Sequence, residues 1–469
     1  MVEHRGAAKP FLLIVAFWGE DFRRHFLQLC LASLLSPGNI PSLSGKRLCR
    51  VVMCTTRQDW AAIQAEPIFF TLQQYAEAVF LELRSIPPDF LKPMVREWNH
   101  RKTTVQAEPF QEDDLSVSPL DAATPEAFAT LQGIGRELGL ELTSHHEYAM
   151  RIFFMSAGHK AAAALAHEEK AFGVFLAPDM VLSDGSLTHL HRLALSGTKV
   201  VMVPACRFSL EDSLQKFQAN GFLKPDQPLV LPPRKLVEMV FACLHPETAC
   251  FEFDSPVFSN PATSAMWKVA GDDGGLLHSF FWAPLLVSYH EMNIHHLDYF
   301  DKGGTTDGKY IAMHFHPNRD VTPITDSDEV FLASFTPRGE YSYRVKAGIL
   351  KRIPGIGRLY KISLIRRTLY GPMGDLIKRN LYAYPVRIHS QDLSPAWNTV
   401  ESLAAGIVER ALKPPGILGR AVMTFYWITH LFSGPNLIGR IRNVAGYALG
   451  YVHPEIRQRI KHILSRLGF

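Results

Sequence analysis

The sequence predicts an α/β fold in which a mostly parallel sheet is flanked by helices, followed by a basic and mainly helical C-terminal extension. Short apolar runs alternate with amphipathic stretches through the first 340 residues, which is typical of strands joined by right-handed helical crossovers. The chain then becomes basic: residues 341–469 carry 20 Lys or Arg against 5 Asp or Glu, whereas the remainder carries 29 against 40. We therefore divide the 469 residues into a domain at 1–340 and an extension at 341–469.

The N-terminal part predicts three strands separated by helices. Residues 10–18 form the apolar run PFLLIVAFW, which is long enough for a buried strand and is ended by Gly19. A polar, acidic segment without periodicity at 101–125 predicts an excursion from the sheet. The elements expected before it are a strand at 10–18, a helix at 22–35 capped by Asp21, a strand at 48–53, a helix at 60–76 and a strand at 78–83.

The stretch 158–187 contains the clearest succession of elements. Residues 158–170 are rich in alanine and predict a helix, and the short apolar run at 171–176 predicts a buried strand. Pro178 ends that strand, so Asp179 lies directly beyond its carboxyl end. The elements expected afterwards are a polar turn at 183–185, a helix at 187–196, a strand at 198–204 and a helix at 230–250.

The position of Asp179 predicts a ligand-binding role. Open α/β sheets bind their ligands just beyond the carboxyl ends of the strands. A hard divalent cation takes oxygen ligands there and completes its coordination with waters and substrate phosphates. A lone Asp after a strand is also a common turn-former or helix cap, so both roles remain open at this point.

The order of small residues, Ala-rich helix, apolar strand and acidic turn resembles the centre of GT-A-fold glycosyltransferases, over about residues 10–335. In that family an Asp-x-Asp after the strand holds Mn²⁺ or Mg²⁺ on a nucleotide-sugar diphosphate. Here the triplet is Ala177-Pro178-Asp179, which keeps only the last acidic position. The resemblance implies a GT-A-like catalytic domain that uses Mn²⁺ or Mg²⁺, with Asp179 as the first candidate metal ligand.

The resemblance also implies an activity, namely transfer of a sugar from a nucleotide-sugar donor to a glycan or lipid-linked acceptor. His278 is the candidate for a further metal ligand, and Asp307 is the candidate base, because a sugar hydroxyl attacks poorly until its proton is removed. The cation would neutralise the departing diphosphate. The candidates for nucleotide-sugar binding are Phe17, Trp18, Gly19, Thr55, His159, Lys160 and Asp184.

Three alternatives remain open. Asp326-Ser327-Asp328 is the only literal Asp-x-Asp in the chain and would hold the metal in place of Asp179. Histidines are dense between 277 and 329, which suggests a metal hydrolase as the second alternative. His314 and His316 would lie on one side of a strand and could bind a metal, although no HExxH occurs. The incomplete triplet leaves a third hypothesis open, a non-catalytic membrane-associated scaffold with a degenerate transferase fold.

The extension at 341–469 places apolar residues between Lys and Arg at helical intervals, with Tyr and Trp among them. This profile is typical of helices that lie in a membrane interface beside anionic lipid. Its bulky Leu and Ile faces fit lipid or a packed bundle better than phosphates, which argues against nucleic acid as the partner. A helical subdomain with a basic outer face is the alternative.

Composition and motifs limit the remaining possibilities. The six cysteines lack CxxC spacing, which predicts a reducing, cytoplasmic location, with attachment to the inner face of the cytoplasmic membrane through 341–469. No apolar run reaches the roughly 18 residues of a membrane span. The absence of GxGxxG and GxxxxGK[ST] argues against a dinucleotide-dependent dehydrogenase and a P-loop NTPase.

Overall fold

The computed structural model describes residues 10–43, 48–83, 133, 135–139, 144–340, 356–370 and 376–413. The polar excursion expected at 101–125 lies outside these residues. The strands are β1 Phe11–Ala16, β2 Cys49–Thr55, β3 Glu77–Glu82, β4 Phe172–Leu176, β5 Met180–Leu182, β6 Val200–Pro204, β7 Cys206–Ser209, β8 Ser264–Lys268, β9 Gly275–Ser279, β10 Trp282–Ser288, β11 Val321–Pro323, β12 Leu332–Thr336 and β13 Val386–Ile388.

The helices lie between these strands and after them. The first, α1 (20–34), is continuous but changes from α-helix at Glu20–His25 to π-helix at Phe26–Leu31 and back to α-helix at Ala32–Leu34. Two 3₁₀ helices cover Ile40–Ser42 and Ile294–Lys302. The other α-helices are α2 Arg57–Gln64, α3 Pro67–Tyr75, α4 Ser144–Glu168, α5 Ser186–Leu195, α6 Leu210–Ala219, α7 Pro233–Phe241, α8 Pro246–Ala249, α9 Gly308–His314, α10 Ile356–Tyr370, α11 Leu376–Ala383 and α12 Pro395–Leu412.

The largest sheet has seven strands in the order β11-β6-β10-β4-β1-β2-β3. All neighbours pair in parallel except β10, which runs antiparallel to both β4 and β6. Strand β1 is buried along its whole length, which explains why its sequence FLLIVA is continuously apolar rather than alternating. The α/β class with a mostly parallel sheet is therefore confirmed.

A second sheet, in the order β5-β12-β7, lies at the carboxyl edge of the first. Strand β5 starts four residues after β4 ends, and β7 starts two residues after β6 ends, so both leave the large sheet at that edge. Strand β12 joins them, antiparallel to β5 and parallel to β7. This arrangement places the start of β5, and Asp179 immediately before it, between the two sheets.

A third sheet, β13-β9-β8, combines residues from both sides of position 340. Strand β13 pairs with β9, and α10 and α12 share an apolar core with residues 253–280 that includes the buried Trp267 and Trp397. The described part of the C-terminal region therefore packs against earlier residues. The domain division at residue 340 stays a prediction.

Several elements differ from the sequence-based expectations. Asp21 does not cap the first helix, which begins at Glu20 after Gly19; Asp21 instead pairs with Arg24 in the first turn. The helix expected at 60–76 is split into α2 and α3 by Pro67, because proline has no N–H to continue a helix. The helix expected at 230–250 is similarly divided into α7 and α8, which begins with Pro246.

Candidate functional site

At the carboxyl ends of β1 and β2, a buried carboxylate joins three elements. Asp59 of α2 accepts hydrogen bonds from the backbone N–H of Gly19 at 2.9 Å and from the Thr56 hydroxyl at 2.7 Å. Arg23 of α1 donates to its other oxygen at 2.8 Å. Gly19 has a φ of 85°, a conformation that favours glycine. Gly19 is therefore held in place by Asp59, which the sequence analysis did not identify.

The other candidates on these two strands point into the core. Phe17 is buried and stacks on Phe26 with ring centroids 4.7 Å apart, and Trp18 packs against Phe154 at 5.6 Å. Thr55 is fully buried at the end of β2. These three side chains line the interior of the protein at this edge rather than an open surface.

His159 and Lys160 of α4 lie at the same end of β4 as Asp179. The His159 ring contacts Phe175 of β4 with centroids 5.3 Å apart, and its Nδ1 accepts the backbone N–H of Thr306 at 3.0 Å. Burial lowers the pKa of His159 to about 4, so the imidazole is neutral at physiological pH. Lys160 forms an ion pair with Asp301 at 2.5 Å. Both residues thus fix segment 301–306 against α4.

Asp307 follows that segment and caps helix α9. Its Oδ1 accepts the backbone N–H groups of Lys309 at 2.8 Å and Tyr310 at 3.0 Å, together with the Tyr299 hydroxyl at 3.2 Å. These three bonds use one carboxylate oxygen. Asp307 therefore caps helix α9, whereas it was expected from the sequence to act as a base.

Asp179 lies where the sequence analysis expected it, directly beyond β4. Its carbonyl accepts the N–H of Phe335 at 3.0 Å, which anchors it between β4 and β12. Burial raises the pKa of the Asp179 carboxyl to about 6, and the negative charge of Glu340 adds to this effect, whereas the positive charge of Arg207 opposes it. Asp179 is thus a partly desolvated carboxylate close to a guanidinium group.

The Arg207 guanidinium is positioned by buried groups behind it. Its Nη1 lies 3.3 Å from Oε2 of Glu247, whose side chain is only 4% exposed. The neighbouring His245 accepts the Glu247 N–H on Nδ1 at 3.2 Å, while its Nε2 lies 3.1 Å from the carbonyl of Pro337. Arg207 itself is 41% exposed. This arrangement fixes the Arg207 charge on β7, from where it favours the ionised form of Asp179.

Asp184 has a structural partner. Its Oδ1 accepts the backbone N–H of Gly38 at 2.6 Å, which joins the turn after β5 to the loop after α1. The approach is so close that a Cβ on Gly38 would lie 2.6 Å from the nitrogen of Gly185. Asp184 therefore holds two loops together at this position.

His278 lies on β9, in the third sheet. Its Nδ1 is 2.9 Å from the carbonyl of Tyr382 on α11, and its ring meets Trp267 edge-on with centroids 5.8 Å apart. Burial lowers the pKa of His278 to about 4. Neither His278 nor Asp179 belongs to a group of three metal-ligating side chains within the described residues.

The only such group in the described ranges is formed by Asp326, Asp328 and His389, with ligand atoms all within 4.8 Å of one another. It lies before the start of β12, whereas Asp179 pairs with Phe335 near the end of that strand. Residues 327–329 form a turn, and Phe335 lies three positions after Leu332, the first residue of β12, which corresponds to roughly 10 Å of strand. Asp179 and the Asp-x-Asp therefore do not belong to one group of metal-ligating side chains in the described residues.

The histidines from the 277–329 stretch cluster elsewhere. His296 lies 5.3 Å from His167 and 6.2 Å from His314 between ring centroids. His167 lies in the last turn of α4, shortly before β4 begins, so this cluster lies at the opposite edge of the sheet from Asp179. His314 is the last residue of α9, which corrects the expectation of a strand that carries His314 and His316.

Three residues that organise these contacts were not predicted from the sequence, namely Asp59, Glu247 and His389. Thr56-x-x-Asp59 carries the signature of a helix capping box, so local pattern was sufficient to find it. Glu247 and His389 meet their partners across 40 and 63 positions of sequence, which no local pattern reveals.

The chain matches no known protein family, and no curated protein matches it. None of the helices that the structure describes is both long enough and apolar enough to cross a bilayer.

Proposed function

We propose that this protein is a metal-dependent glycosyltransferase that moves a sugar from a nucleotide-sugar donor to a glycan or lipid-linked acceptor. The observation that carries the proposal is the position of Asp179, a partly buried carboxylate directly beyond the carboxyl end of β4, where the positive charge of Arg207 favours its ionised form. This edge is where open α/β sheets bind ligands, and the GT-A resemblance leads to the same residue.

The residues around Asp179 fit a metal only when a ligand accompanies it. One carboxylate is too few ligands to hold Mn²⁺ or Mg²⁺ alone, but Mg²⁺ is commonly bound by one or two carboxylates together with substrate phosphates. When bound, the ion would neutralise charge on the departing diphosphate. The partly desolvated Asp179 carboxylate would contribute one oxygen ligand, and Arg207 would contact a phosphate oxygen.

The acceptor hydroxyl requires a base, and we assign this role to Asp307. Its Oδ1 is occupied by the cap of α9, and its Oδ2 takes no part in those three bonds. The cap fixes the orientation of the carboxylate, which a base needs in order to accept a proton at one atom. His159 and Lys160 then act by holding the segment before Asp307 rather than by contacting phosphate.

The test is thermal stabilisation of the full chain by a panel of nucleotides and nucleotide-sugars, with and without Mn²⁺. We expect stabilisation that requires nucleotide and metal together, and that is lost in Asp179→Asn. Asp298→Asn, at an exposed carboxylate, is the matched control and should behave as the original protein. Equal stabilisation of Asp179→Asn and the original protein would overturn the assignment.

A non-catalytic scaffold is the second candidate. It is favoured by the burial of Phe17, Trp18 and Thr55, which removes three expected donor contacts from the surface. A scaffold would show no stabilisation by any nucleotide with or without Mn²⁺, and no sugar transfer from any donor of the panel.

We further propose that residues 341–469 bind an anionic membrane surface from the cytoplasmic side. Because α10 and α12 share a core with residues 253–280, the test uses the full chain rather than a deletion. Flotation should occur with vesicles that contain phosphatidylglycerol, should be absent with phosphatidylcholine alone, and should decrease as salt rises. Equal flotation with both vesicle types would contradict the proposal.

A further inference from the structure

The Asp-x-Asp segment and the segment after β13 bring three potential metal ligands together. His389 Nε2 lies 3.0 Å from Oδ1 of Asp326 and 3.8 Å from Oδ2 of Asp328. The His389 side chain is only 3% exposed, so its imidazole is held inside the protein. The two carboxylates and the imidazole come from parts of the chain more than 60 residues apart.

The backbone around these side chains is fixed by hydrogen bonds from outside the three ligands. His389 Nδ1 lies 2.7 Å from the carbonyl of Gln391, and the His389 N–H donates to Ser327 Oγ at 3.1 Å. The Ser327 N–H in turn donates to the carbonyl of Arg387 at 2.9 Å. An imidazole that donates Nδ1–H to a carbonyl presents the lone pair of Nε2, which is the usual orientation of a metal-bound histidine.

We propose that Asp326, Asp328 and His389 bind a divalent transition-metal ion, preferably Zn²⁺, that fastens the segment after β13 to the loop after β11. One imidazole nitrogen and two carboxylate oxygens form a donor set that suits Zn²⁺, whereas Ca²⁺ and Mg²⁺ prefer oxygen ligands alone. The role is structural and separate from the proposed transfer reaction, because Asp179 lies at the other end of β12.

The neighbouring charges are compatible with such an ion. Arg234 of α7 contacts both Asp328 oxygens at 2.9–3.1 Å and Asp392 at 2.5 Å, and thereby fixes the Asp328 carboxylate. Each carboxylate oxygen has two lone pairs, so Asp328 can face Arg234 and a metal at once. Glu329 lies close to Asp326 and adds negative charge, and Arg387 is paired with Glu401.

The experiment is a Zn²⁺ titration of the full chain after dialysis against a chelator, without nucleotide, with a chromophoric chelator as competitor. We expect one tightly bound equivalent and a higher melting temperature in Zn²⁺ than in chelator. In His389→Gln and in Asp326→Asn the equivalent should be lost or bound at least about 10-fold more weakly. The control His295→Gln removes an exposed histidine beside Asp298, and this variant should still bind the Zn²⁺ equivalent.

Two results would overturn the proposal. One is the absence of a tight Zn²⁺ equivalent in the original protein, in which case His389 and Asp326 form only an ion pair. The other is an equivalent that persists in both variants, which would place it elsewhere. Circular dichroism in chelator checks that each variant is folded. If His389→Gln does not fold, Asp326→Asn carries the test, because it keeps the size of the side chain. Because no nucleotide is used, failure here is distinguishable from failure of the transferase proposal.

Discussion

Lys361 shows how a single buried charge is accommodated in the apolar core that α10 and α12 share with residues 253–280. The side chain is 6% exposed, and its Nζ donates to the carbonyls of Phe253 and Ser255. The ammonium also lies 5.4 Å from the centroid of the Phe253 ring and 5.7 Å from that of Phe258, within the range of a cation–π interaction. Burial lowers the pKa of Lys361, and the nearby acidic groups Asp254 and Glu252 oppose this effect.

We predict that Lys361→Met lowers the free energy of unfolding by about 1–3 kcal/mol. The substitution keeps the apolar stem but leaves two buried carbonyls without their donor. Lys235→Met, at a partly exposed lysine paired with Glu238 within one helix, should change it by less than about 0.5 kcal/mol. Chemical denaturation measures both. Equal effects of the two substitutions would show that the carbonyl contacts of Lys361 contribute nothing.

Helix α9 is a short element whose beginning depends on one side chain. Its seven residues are too few for a stable isolated helix, so the Asp307 cap and the packing of Tyr310 fix its position. The same carboxylate is our proposed base. A cap and a base place different demands on the side chain, because a cap needs only an acceptor whereas a base must gain a proton.

We predict that Asp307→Ala destabilises the protein by about 1 kcal/mol, whereas Asp307→Asn, which retains an acceptor oxygen, has little effect on stability. In a transfer assay, Asp307→Asn should nevertheless lower kcat by about 100-fold, since an amide cannot act as the base. If Asp307→Asn transfers sugar at the original rate, Asp307 caps helix α9 and is not the base. Thermal unfolding and a sugar-transfer assay provide the two measurements.

Across the whole molecule, three buried histidines make the folded state sensitive to acid. The pKa values of His159, His278 and His296 are lowered to about 4, mainly by burial, and for His296 the positive charges of His167 and His314 contribute to the shift. The unfolded chain binds protons at these positions below pH 6.5, and the folded protein does so only near pH 4. The contribution of these neutral imidazoles to the free energy of unfolding is therefore fully present above pH 6.5 and decreases as the pH falls towards 4.

We predict that the free energy of unfolding decreases between pH 6.5 and 4, by up to about 1.4 kcal/mol per pH unit for each of these histidines. His159→Gln should make the decrease shallower, because it removes one proton-binding group from the unfolded chain. His295→Gln, at an exposed histidine, should leave the slope unchanged. Denaturant titrations at a series of pH values test this, and an identical slope in His159→Gln would contradict it.

Local sequence pattern was sufficient for five of the seven strands of the large sheet, whereas β10 and β11 were not predicted. The apolar runs at 10–18, 48–53, 78–83, 171–176 and 198–204 each contain or overlap an observed strand. For the fully buried β1, β4 and β6 the reason is that a strand buried on both faces requires consecutive apolar residues. Helix ends were less predictable, since Pro67 and Pro246 divide segments whose apolar periodicity continues across them.

The position of Asp179 beyond β4 could likewise be predicted, because it depends only on where a neighbouring strand ends. The hydrogen-bond and ion-pair partners of the candidate residues could not be predicted from the sequence. Asp307 and Asp184 bond to backbone groups, and Arg207 pairs with Glu247 40 positions away. The amino-acid order therefore determined five strands of the large sheet and the acid at its edge. Only the folded chain decided which side chains meet, because contacts such as Asp326–His389 form between segments that are distant in sequence and adjacent after packing.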